Sequence, residues 1–396
     1  MKEGWTYKKL GEVCDILNGF AFKSNQYVSD GIRVIRITNV QKGFIEDKDP
    51  KYYPSNTKDE LNRYLLKEDD LLISLTGNVG RVGILDKNMM PAYLNQRVGC
   101  LRIKNNDLYI PFLFYFLNSN GFEKDCIESS TGAAQKNMST VWLSKYKVPT
   151  PPLAEQQRIA ERLDAAFENI DKLKANAEKQ LAEARTLFQK SLAKAMETKE
   201  GWEEKTLKEI VLTITDGDHQ PPPKSNEGIP FITISNINKD SNKIDFEDTF
   251  YVPQHYFDGL KTDRIPQEGD VLYTVTGSFG IPVLIDYKKD FCFQRHIALI
   301  RPNQKMLFSK YLYYWILSDY AKVQAEDTAT GAAQRTVSLN SLRKFRISIP
   351  PIAVQQRIVE RLDSLSENIR KYEEIQRQII SECDALKQAL LRKVFE

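Results

Sequence analysis

The chain has 396 residues, of which 41% are hydrophobic and 28% are charged, and its formal net charge is +3. These values are typical of a folded protein with two or three domains, and the near balance of charge excludes a strongly basic protein that binds nucleic acid through charge alone. No run of about 18 apolar residues occurs and the five cysteines are scattered. We therefore expect a cytoplasmic protein without a membrane span, a disulfide framework or a zinc site.

The predicted elements of the first half alternate short strands with polar turns. Residues 31–39 are rich in β-branched side chains with an alternating pattern and predict a strand, and residues 70–76 predict a strand that ends in a glycine turn. Residues 112–117 predict a short aromatic helix. A pair of prolines then precedes residues 153–197, which predict a long helix, because proline is well placed where a helix begins.

The second half repeats the first. Residues 228–236, 270–276 and 311–316 predict the same strands and short helix, and residues 352–396 predict a second long helix after another proline pair. The sequence Thr-Gly-Ala-Ala-Gln-Lys at 131–136 returns with a final arginine at 330–335, an offset of 199 positions. A repeat inside one chain presents two similar faces, which matters most for a ligand with two-fold symmetry such as duplex DNA.

Apolar residues of the two predicted long helices follow a three-four spacing, which favours an antiparallel coiled coil over two separate surface helices. About 40 residues at 1.5 Å each predict a rod of roughly 60 Å. We call the apolar contact between the two helices of the coiled coil the seam. The residues predicted at this seam or at a partner's docking surface are Ile159, Leu163, Ile170, Leu187, Ile358, Leu362, Ile369 and Leu386.

No arrangement of catalytic or metal-binding residues occurs in both halves. The chain lacks a glycine-rich phosphate loop and a dinucleotide-binding motif, and its three histidines, His219, His255 and His296, all lie in the second half. We interpret carboxylate pairs such as Asp69 and Asp70 as solvated turn residues. The sequence therefore predicts no catalytic residue, no metal site and no cofactor bound by this chain.

Polar loops at the ends of predicted strands do recur in both halves. Their amide, hydroxyl and guanidinium groups suit hydrogen bonds to base edges and phosphates, although any single loop of this kind is more often a surface turn. Loops with similar sequences in the two halves would have a shared role, such as positioning the DNA backbone. Loops with different sequences would read different bases. The predicted DNA-binding residues are Lys23, Asn25, Asn39, Asn78, Arg81, Gln96, Arg97, Gln135, Lys136, His219, Gln220, Asn236, Ser278, Gln294, Arg295, Gln334 and Arg335.

These features together resemble a known family. Two variable globular halves, each closed by Pro-Pro-x-x-x-Gln-Gln-Arg-Ile and a long helix, are similar to the specificity subunit of type I restriction–modification enzymes. The resemblance extends over the whole chain. Its most specific parts are residues 131–135 with 151–164, and residues 330–334 with 350–363.

The resemblance implies a mixed α/β fold with a pseudo-two-fold internal repeat. Target recognition domains would occupy residues 1–151 and 199–350, and long spacer helices residues 152–198 and 351–396. Each domain would read one half of an asymmetric bipartite site in double-stranded DNA. Two methyltransferase subunits and two restriction subunits would be the partners, and S-adenosylmethionine, ATP and Mg would be bound by them, so that this chain is non-catalytic.

The charge is unevenly distributed. Residues 1–151 contain 21 lysines and arginines against 17 acidic residues, whereas residues 198–351 contain 19 against 20. Because binding to DNA alone requires many phosphate contacts, a partner would supply part of them.

Three alternatives stay open on sequence. A related system would use one fused methyltransferase-nuclease as the partner, which only neighbouring genes distinguish. A coiled-coil scaffold without DNA reading would bind proteins in a salt-insensitive manner. An enzyme with an unrecognised site is disfavoured, because no polar catalytic set occurs in both halves.

Overall fold

The computed structural model describes the chain except for residues 1–3, 56–58, 105–106, 133–134, 218 and 333. It divides into two units. Unit 1 comprises Met1–Glu178 and Arg377–Glu396, and unit 2 comprises Lys179–Gln376. The predicted long helices are confirmed as Leu153–Met196, the first long helix, and Ile352–Phe395, the second long helix.

Unit 1 is built on a four-stranded antiparallel sheet in the order Cys14–Asn18, Val98–Ile103, Leu71–Ser74, Val82–Ile84. A smaller sheet has Ile32–Ile35 between Tyr52–Tyr53, which is antiparallel to it, and Ala92–Leu94, which is parallel. Two-stranded pairs join Thr6–Lys9 to Lys147–Thr150 and Val40–Gln41 to Phe44–Ile45. The helices besides the long one are Leu10–Val13, Ile110–Leu117, Asn120–Ser129 and Thr140–Lys145.

Unit 2 repeats this topology. Its four-stranded sheet has the order Val211–Asp216, Ile297–Pro302, Val271–Thr274, Pro282–Leu284, and its three-stranded sheet Phe250–Val252, Ile229–Ile232, Cys292–Phe293. The pairs are Glu203–Thr206 with Arg346–Ile349 and Ile237–Asn238 with Lys243–Ile244. The helices are Leu207–Ile210, Gln254–Asp258, Ser309–Leu317, Asp319–Thr328 and Leu339–Arg343. The predicted α/β class, the repeat and the short aromatic helices are confirmed.

The strands predicted at 31–39 and 228–236 are shorter than expected. They end at Ile35 and Ile232, and a 3-10 turn follows in each unit. Asn39 accepts from the backbone N–H of Arg36 at 2.9 Å and donates to a backbone carbonyl, and Asn236 makes the equivalent bond to Thr233 at 2.9 Å.

This turn also corrects a predicted function. Asn39 and Asn236 are each only 5% exposed, and both ends of each amide are hydrogen bonded within the protein. A buried amide whose oxygen and nitrogen are both hydrogen bonded within the protein is not accessible to a base edge. The structure therefore assigns these two residues to stabilising the turn rather than to the DNA contact that we predicted.

Asp70 is not the solvated turn residue that its position next to Asp69 suggests. It is 3% exposed, and its two carboxylate oxygens accept from Nε and Nη2 of Arg102 at 2.8 and 2.6 Å. Asp270 and Arg301 form the same bidentate pair at 2.9 and 2.8 Å. The repeated Asp-x-Leu segment therefore provides each four-stranded sheet with a buried carboxylate that pairs with a partly buried arginine, and loss of the arginine would leave that buried charge uncompensated.

The repeated Gln-Gln-Arg-Ile motif fastens each long helix to its globular part. Gln156 is 0% exposed; its amide donates to the carbonyls of Asp107 and Pro151 at 2.9 and 2.8 Å and accepts from the N–H of Tyr109 at 2.8 Å. Gln355 makes the equivalent three bonds in unit 2. Because the donors and acceptors are backbone groups beside the short aromatic helix, the glutamine joins two elements that the chain separates by about 40 residues.

A second hydrogen bond between each long helix and its globular part lies about two turns further along the helix. Tyr115 donates to Asp164 at 2.5 Å, and Tyr314 donates to Asp363 at 2.7 Å. Burial, and secondarily the aspartate, raises the pKa of both phenols well above its usual range. The tyrosines therefore stay protonated near neutral pH and act as hydrogen-bond donors to the aspartates.

Segments of the two long helices pack antiparallel inside each unit. In unit 1, Lys174 lies 2.8 Å from Asp384 and Lys387 lies 2.5 Å from Asp171. In unit 2, Arg185 lies 3.0 Å from Glu373. Apolar residues of both helices join the main core cluster of their unit, namely Ile159, Leu163 and Leu391 in unit 1 and Leu192, Val359 and Leu362 in unit 2.

The seam prediction needs one correction. Six of the eight predicted residues are buried or half-buried, but Leu187 and Leu386 are 54% and 48% exposed. Ala184 and Cys383, each three residues earlier, are 8% and 3% exposed instead. A straight helix has about 3.6 residues per turn, so the positions that face its neighbour shift gradually relative to a repeat of seven residues. The buried position is therefore a different one at Ala184 and Cys383. Leu187 and Leu386 remain a prediction only as docking residues for a partner.

Candidate nucleic-acid interface

The polar loops that were identified in the first half of the sequence meet at one end of the four-stranded sheet of unit 1, where its strands begin or finish. Gly77 N–H donates to the carbonyl of Lys136 at 2.8 Å, Leu75 N–H to that of Arg97 at 3.0 Å, and Gln96 N–H to that of Phe20 at 3.0 Å. Backbone hydrogen bonds thus hold four segments together. We call them the first loop cluster: residues 18–30, 76–81, 95–97 and 131–137.

The same arrangement occurs in unit 2. Gly277 N–H donates to the carbonyl of Arg335 at 3.0 Å, Val275 N–H to that of His296 at 2.9 Å, and Gln294 N–H to that of Ile232 at 3.0 Å. We call residues 216–228, 276–281, 293–296 and 330–336 the second loop cluster. Four residues of the predicted loops, Ala133, Ala134, Asp218 and Ala333, lie outside the described part of the chain.

A glycine makes the closest approach in each cluster possible. A Cβ atom at Gly19 would lie 2.3 Å from the backbone of Asn95, and one at Gly217 would lie 1.8 Å from the carbonyl oxygen of Phe293. Both distances are below any real Cβ contact, so no other residue fits there without a backbone shift. These two glycines bring the first loop of each cluster against the third.

Most predicted contact residues of the first loop cluster have exposed side chains; these are Lys23, Asn25, Asn78, Gln96, Arg97, Gln135 and Lys136. Arg81 is half-buried, and its Nη1 donates to Oε1 of Gln41 at 2.8 Å. Lys23, Arg97 and Lys136 make no side-chain hydrogen bond or ion pair with any described residue. Their charges are therefore available to a ligand.

In the second loop cluster, more of the polar side chains have partners. Nε2 of His219 lies 2.9 Å from Asp216, Ser278 accepts from Nζ of Lys239 at 2.8 Å, and Arg335 forms an ion pair with Glu326. His219, Gln220, Ser278, Arg295, Gln334 and Arg335 are exposed, and Gln294 is half-buried. Burial, together with the neighbouring Arg295, lowers the pKa of His296, so that this imidazole stays neutral near pH 7.

Three residues that contact this surface were missed in the sequence. Gln41 orients Arg81, Lys239 contacts Ser278, and Glu326 pairs with Arg335. None of them belongs to a repeated motif or to a predicted loop. Only tertiary contacts over sequence separations of 9 to 40 residues reveal them.

Two negative findings apply to the described residues. No group of three or more His, Cys, Asp or Glu side chains among them could hold a metal ion. In the same part of the chain, no helix has the length and apolar character needed to cross a membrane.

Residues 2–183 and again residues 199–380 match the family model of the type I restriction modification DNA specificity domain. The chain belongs to this family. The two matches correspond to the two copies of the internal repeat, so this specificity subunit carries one family domain in each half. The resemblance noted in the sequence, and the function of DNA-specificity subunit that follows from it, are confirmed.

Relatives of this specificity subunit have the same role. It is 24% identical to the specificity subunit of the type I restriction enzyme EcoBI from Escherichia coli over 422 aligned residues, which cover 99% of this chain and 86% of that protein. It is 34% identical to the MjaVIII specificity subunit from Methanocaldococcus jannaschii over 46% of this chain and 44% of that one. These proteins are specificity subunits of type I restriction enzymes, which is the role that the sequence predicted for this chain.

Solved structures share the fold of this specificity subunit. A chain of a type I R-M system, from a structure that describes complex assembly and conformational transition, has a TM-score of 0.78 at 19% identity and covers 100% of this chain and 98% of its own. The HsdS subunit from Thermoanaerobacter tengcongensis has a TM-score of 0.57 at 20% identity, with coverage of 100% and 97%. The repeated α/β architecture is therefore common to these proteins.

Proposed function

We propose that unit 1 reads one half and unit 2 the other half of an asymmetric, bipartite site in double-stranded DNA. The observation that carries this proposal is the loop cluster, which is built on the same backbone frame in both units but presents different side chains. Asn78 and Arg81 of the first cluster correspond to Ser278 and Ile281 of the second. Different donors and acceptors on one frame would select different bases.

The chemistry of the exposed side chains supports direct contact with DNA. Amides such as Asn25 and Asn78, which lie in loops that differ between the units, can pair with base edges, and the guanidinium of Arg97 can bind a phosphate. Lys23 and Lys136 are point charges on flexible chains, which suit phosphate. Within the loops that agree between the units, these groups would position the backbone rather than read sequence.

The partners that we propose are two methyltransferase subunits and two restriction subunits. They would bind S-adenosylmethionine, ATP and Mg, and this chain would bind none of these. Each unit has a groove beside a long helix, and equivalent residues line both grooves: Tyr115 and Asp164 in unit 1, and Tyr314 and Asp363 in unit 2. Such equivalent surfaces support docking of two copies of one partner. The net charge of +3 is also small for a protein that holds DNA without help.

Co-expression of this chain with the methyltransferase encoded beside its gene tests the proposal. Sequencing of the cellular DNA for N6-methyladenine should show a split motif with an unread gap, which appears only when both proteins are present. A stable complex that adds no methylation would favour the scaffold alternative. A neighbouring gene for one fused methyltransferase-nuclease, with the same split motif, would establish the related system instead.

We predict that Arg97→Ala and Gln135→Ala each weaken DNA binding by the complex. Loss of one such contact costs about 1–3 kcal/mol, so the Kd should rise roughly ten-fold at physiological salt. Both side chains are exposed, so the Tm should not change. Fluorescence anisotropy with a DNA duplex that carries the mapped motif measures the affinity.

Lys87→Ala is the matched control for Arg97→Ala. Lys87 is also exposed, but it follows the strand Val82–Ile84, which runs away from the loop cluster, and the neighbouring Leu85 N–H donates to Asp70 at the start of Leu71–Ser74. The control therefore removes one positive charge at the other end of the sheet, away from the loop cluster. An equal loss of affinity in both variants, or no loss in either, would contradict the assignment of the loops.

A further inference from the structure

We propose that the two loop clusters hold the DNA backbone unequally: the first loop cluster makes most of the phosphate contacts, whereas in the second Glu326 competes with phosphate for the guanidinium of Arg335. This inference rests on the proposed DNA-binding function and adds to it a carboxylate that tunes affinity. It is carried by the charges of the two clusters, by the contacts of two equivalent cations, and by the residue at one helix position.

The charge of the two clusters differs. The first loop cluster contains four cationic side chains and one carboxylate, namely Lys23, Arg81, Arg97 and Lys136 against Asp30. Among its described residues, the second contains three cationic side chains and two carboxylates, namely Lys224, Arg295 and Arg335 against Asp216 and Glu227. Phosphate binding depends on the number of cations that can replace condensed counterions. The first cluster therefore has the larger capacity for it.

The cations at equivalent positions differ in their freedom. Lys136 is exposed and makes no side-chain hydrogen bond or ion pair within the described residues. Its equivalent Arg335 is held at three points: Nη1 pairs with the carboxylate of Glu326, Nη2 donates to the carbonyl of Glu326 at 2.7 Å, and the guanidinium carbon lies 5.5 Å from the ring centre of Phe279. Only one of the two cations is therefore free to follow a phosphate.

The restraint originates from the helix that precedes the loop. Glu326 lies in Asp319–Thr328, and the equivalent position of Asn120–Ser129 in unit 1 is Ile127, which is 39% exposed. Unit 1 therefore has no carboxylate at that position. The side chains of Arg335 and Glu326 are 46% and 57% exposed, and exposed pairs of this kind are weak. Phosphate can displace Glu326, but the displacement lowers the gain in affinity.

The salt dependence of DNA binding by the complete complex tests this inference. Each phosphate contact contributes about 0.9 to the slope of log K against log salt concentration, which corresponds to about 3.5-fold in affinity between 50 and 200 mM salt. We expect Glu326→Gln to bind more tightly with a slope steeper by up to this amount, because Arg335 loses the carboxylate that competes with phosphate. We expect Ile127→Glu to bind more weakly with a shallower slope, because Lys136 gains a competitor.

Matched variants separate this effect from others. Ile127→Gln, which adds a polar group without charge, should leave the slope unchanged. Lys136→Gln should lower the slope by about 0.9, and Arg335→Gln should lower it by less than half as much. An unchanged slope in Glu326→Gln, or equal losses in Lys136→Gln and Arg335→Gln, would overturn the inference. Failure of the wild-type complex to bind its methylated motif would instead contradict the proposed function itself.

Discussion

Replacement of residues 1–150 by the corresponding residues of a relative with a different target will change one half of the methylated motif. The other half and the number of unread bases will stay the same. All exposed side chains of the first loop cluster lie within the replaced segment, so every base contact that we propose for unit 1 is exchanged together. Loss of three contacts at about 1–3 kcal/mol each should reduce methylation of the old half-site by about 100-fold or more.

The structure indicates how to design this chimera. The strand Lys147–Thr150 pairs with Thr6–Lys9, so the two strands have to come from the same donor. Leu391 and Phe395 of the second long helix pack on the core cluster that contains Phe112 and Phe116, so the donor needs apolar residues at those two positions. The reciprocal replacement of residues 199–350 should change only the other half. A change in both halves would show that the units do not read independently.

Gln156→Ala will loosen the attachment of the first long helix to unit 1. The substitution removes three hydrogen bonds to backbone groups, those of Tyr109, Asp107 and Pro151; the bond to Pro151 is buried and the other two are partly buried. Each lost hydrogen bond of this kind costs about 1 kcal/mol, so we expect a local destabilisation of about 3 kcal/mol. Hydrogen exchange in Ile110–Leu117 should therefore become about 100-fold faster.

The chain itself offers matched controls for this prediction. Gln157 is the next residue of the same motif and is exposed, so Gln157→Ala should leave exchange in Ile110–Leu117 unchanged. Gln355→Ala removes the equivalent glutamine of unit 2 and should accelerate exchange in Ser309–Leu317 instead. Mass spectrometry of peptides from both short helices measures all three variants. Equal exchange in Gln156→Ala and the wild type would show that the hydrogen bonds do not hold the helix.

The hydrogen-bonding role of Gln156 illustrates why a motif does not disclose its own function. The sequence shows two adjacent glutamines in both copies, and nothing in their order distinguishes them. The helix turns about 100° between them, which directs one amide into the protein and the other to solvent. Only the placement of the carbonyls of Asp107 and Pro151 makes the first glutamine a structural residue.

Asn39 and Asn236 show that a polar residue predicted to contact a ligand can have a structural role instead. Their position at the end of a predicted strand, in a polar segment, suggested contact with a ligand. In the structure the strand ends four residues earlier, and the amide replaces the missing backbone partners of the turn. A local hydrogen bond from asparagine to backbone competes with any external ligand.

Much of this protein followed from the sequence by itself: the repeat, the α/β class, both long helices, the family and the loops that form each cluster. These properties depend on hydrophobic periodicity, on proline and glycine at fixed positions, and on motifs that occur twice, all of which are local along the chain. The tertiary structure decided which polar residues are free. Lys136 has no partner within the described residues while Arg335 is bound to Glu326, and Asp70 is buried while it was interpreted as solvated. Freedom and burial depend on neighbours that are distant in sequence, and no pattern of residue types specifies them.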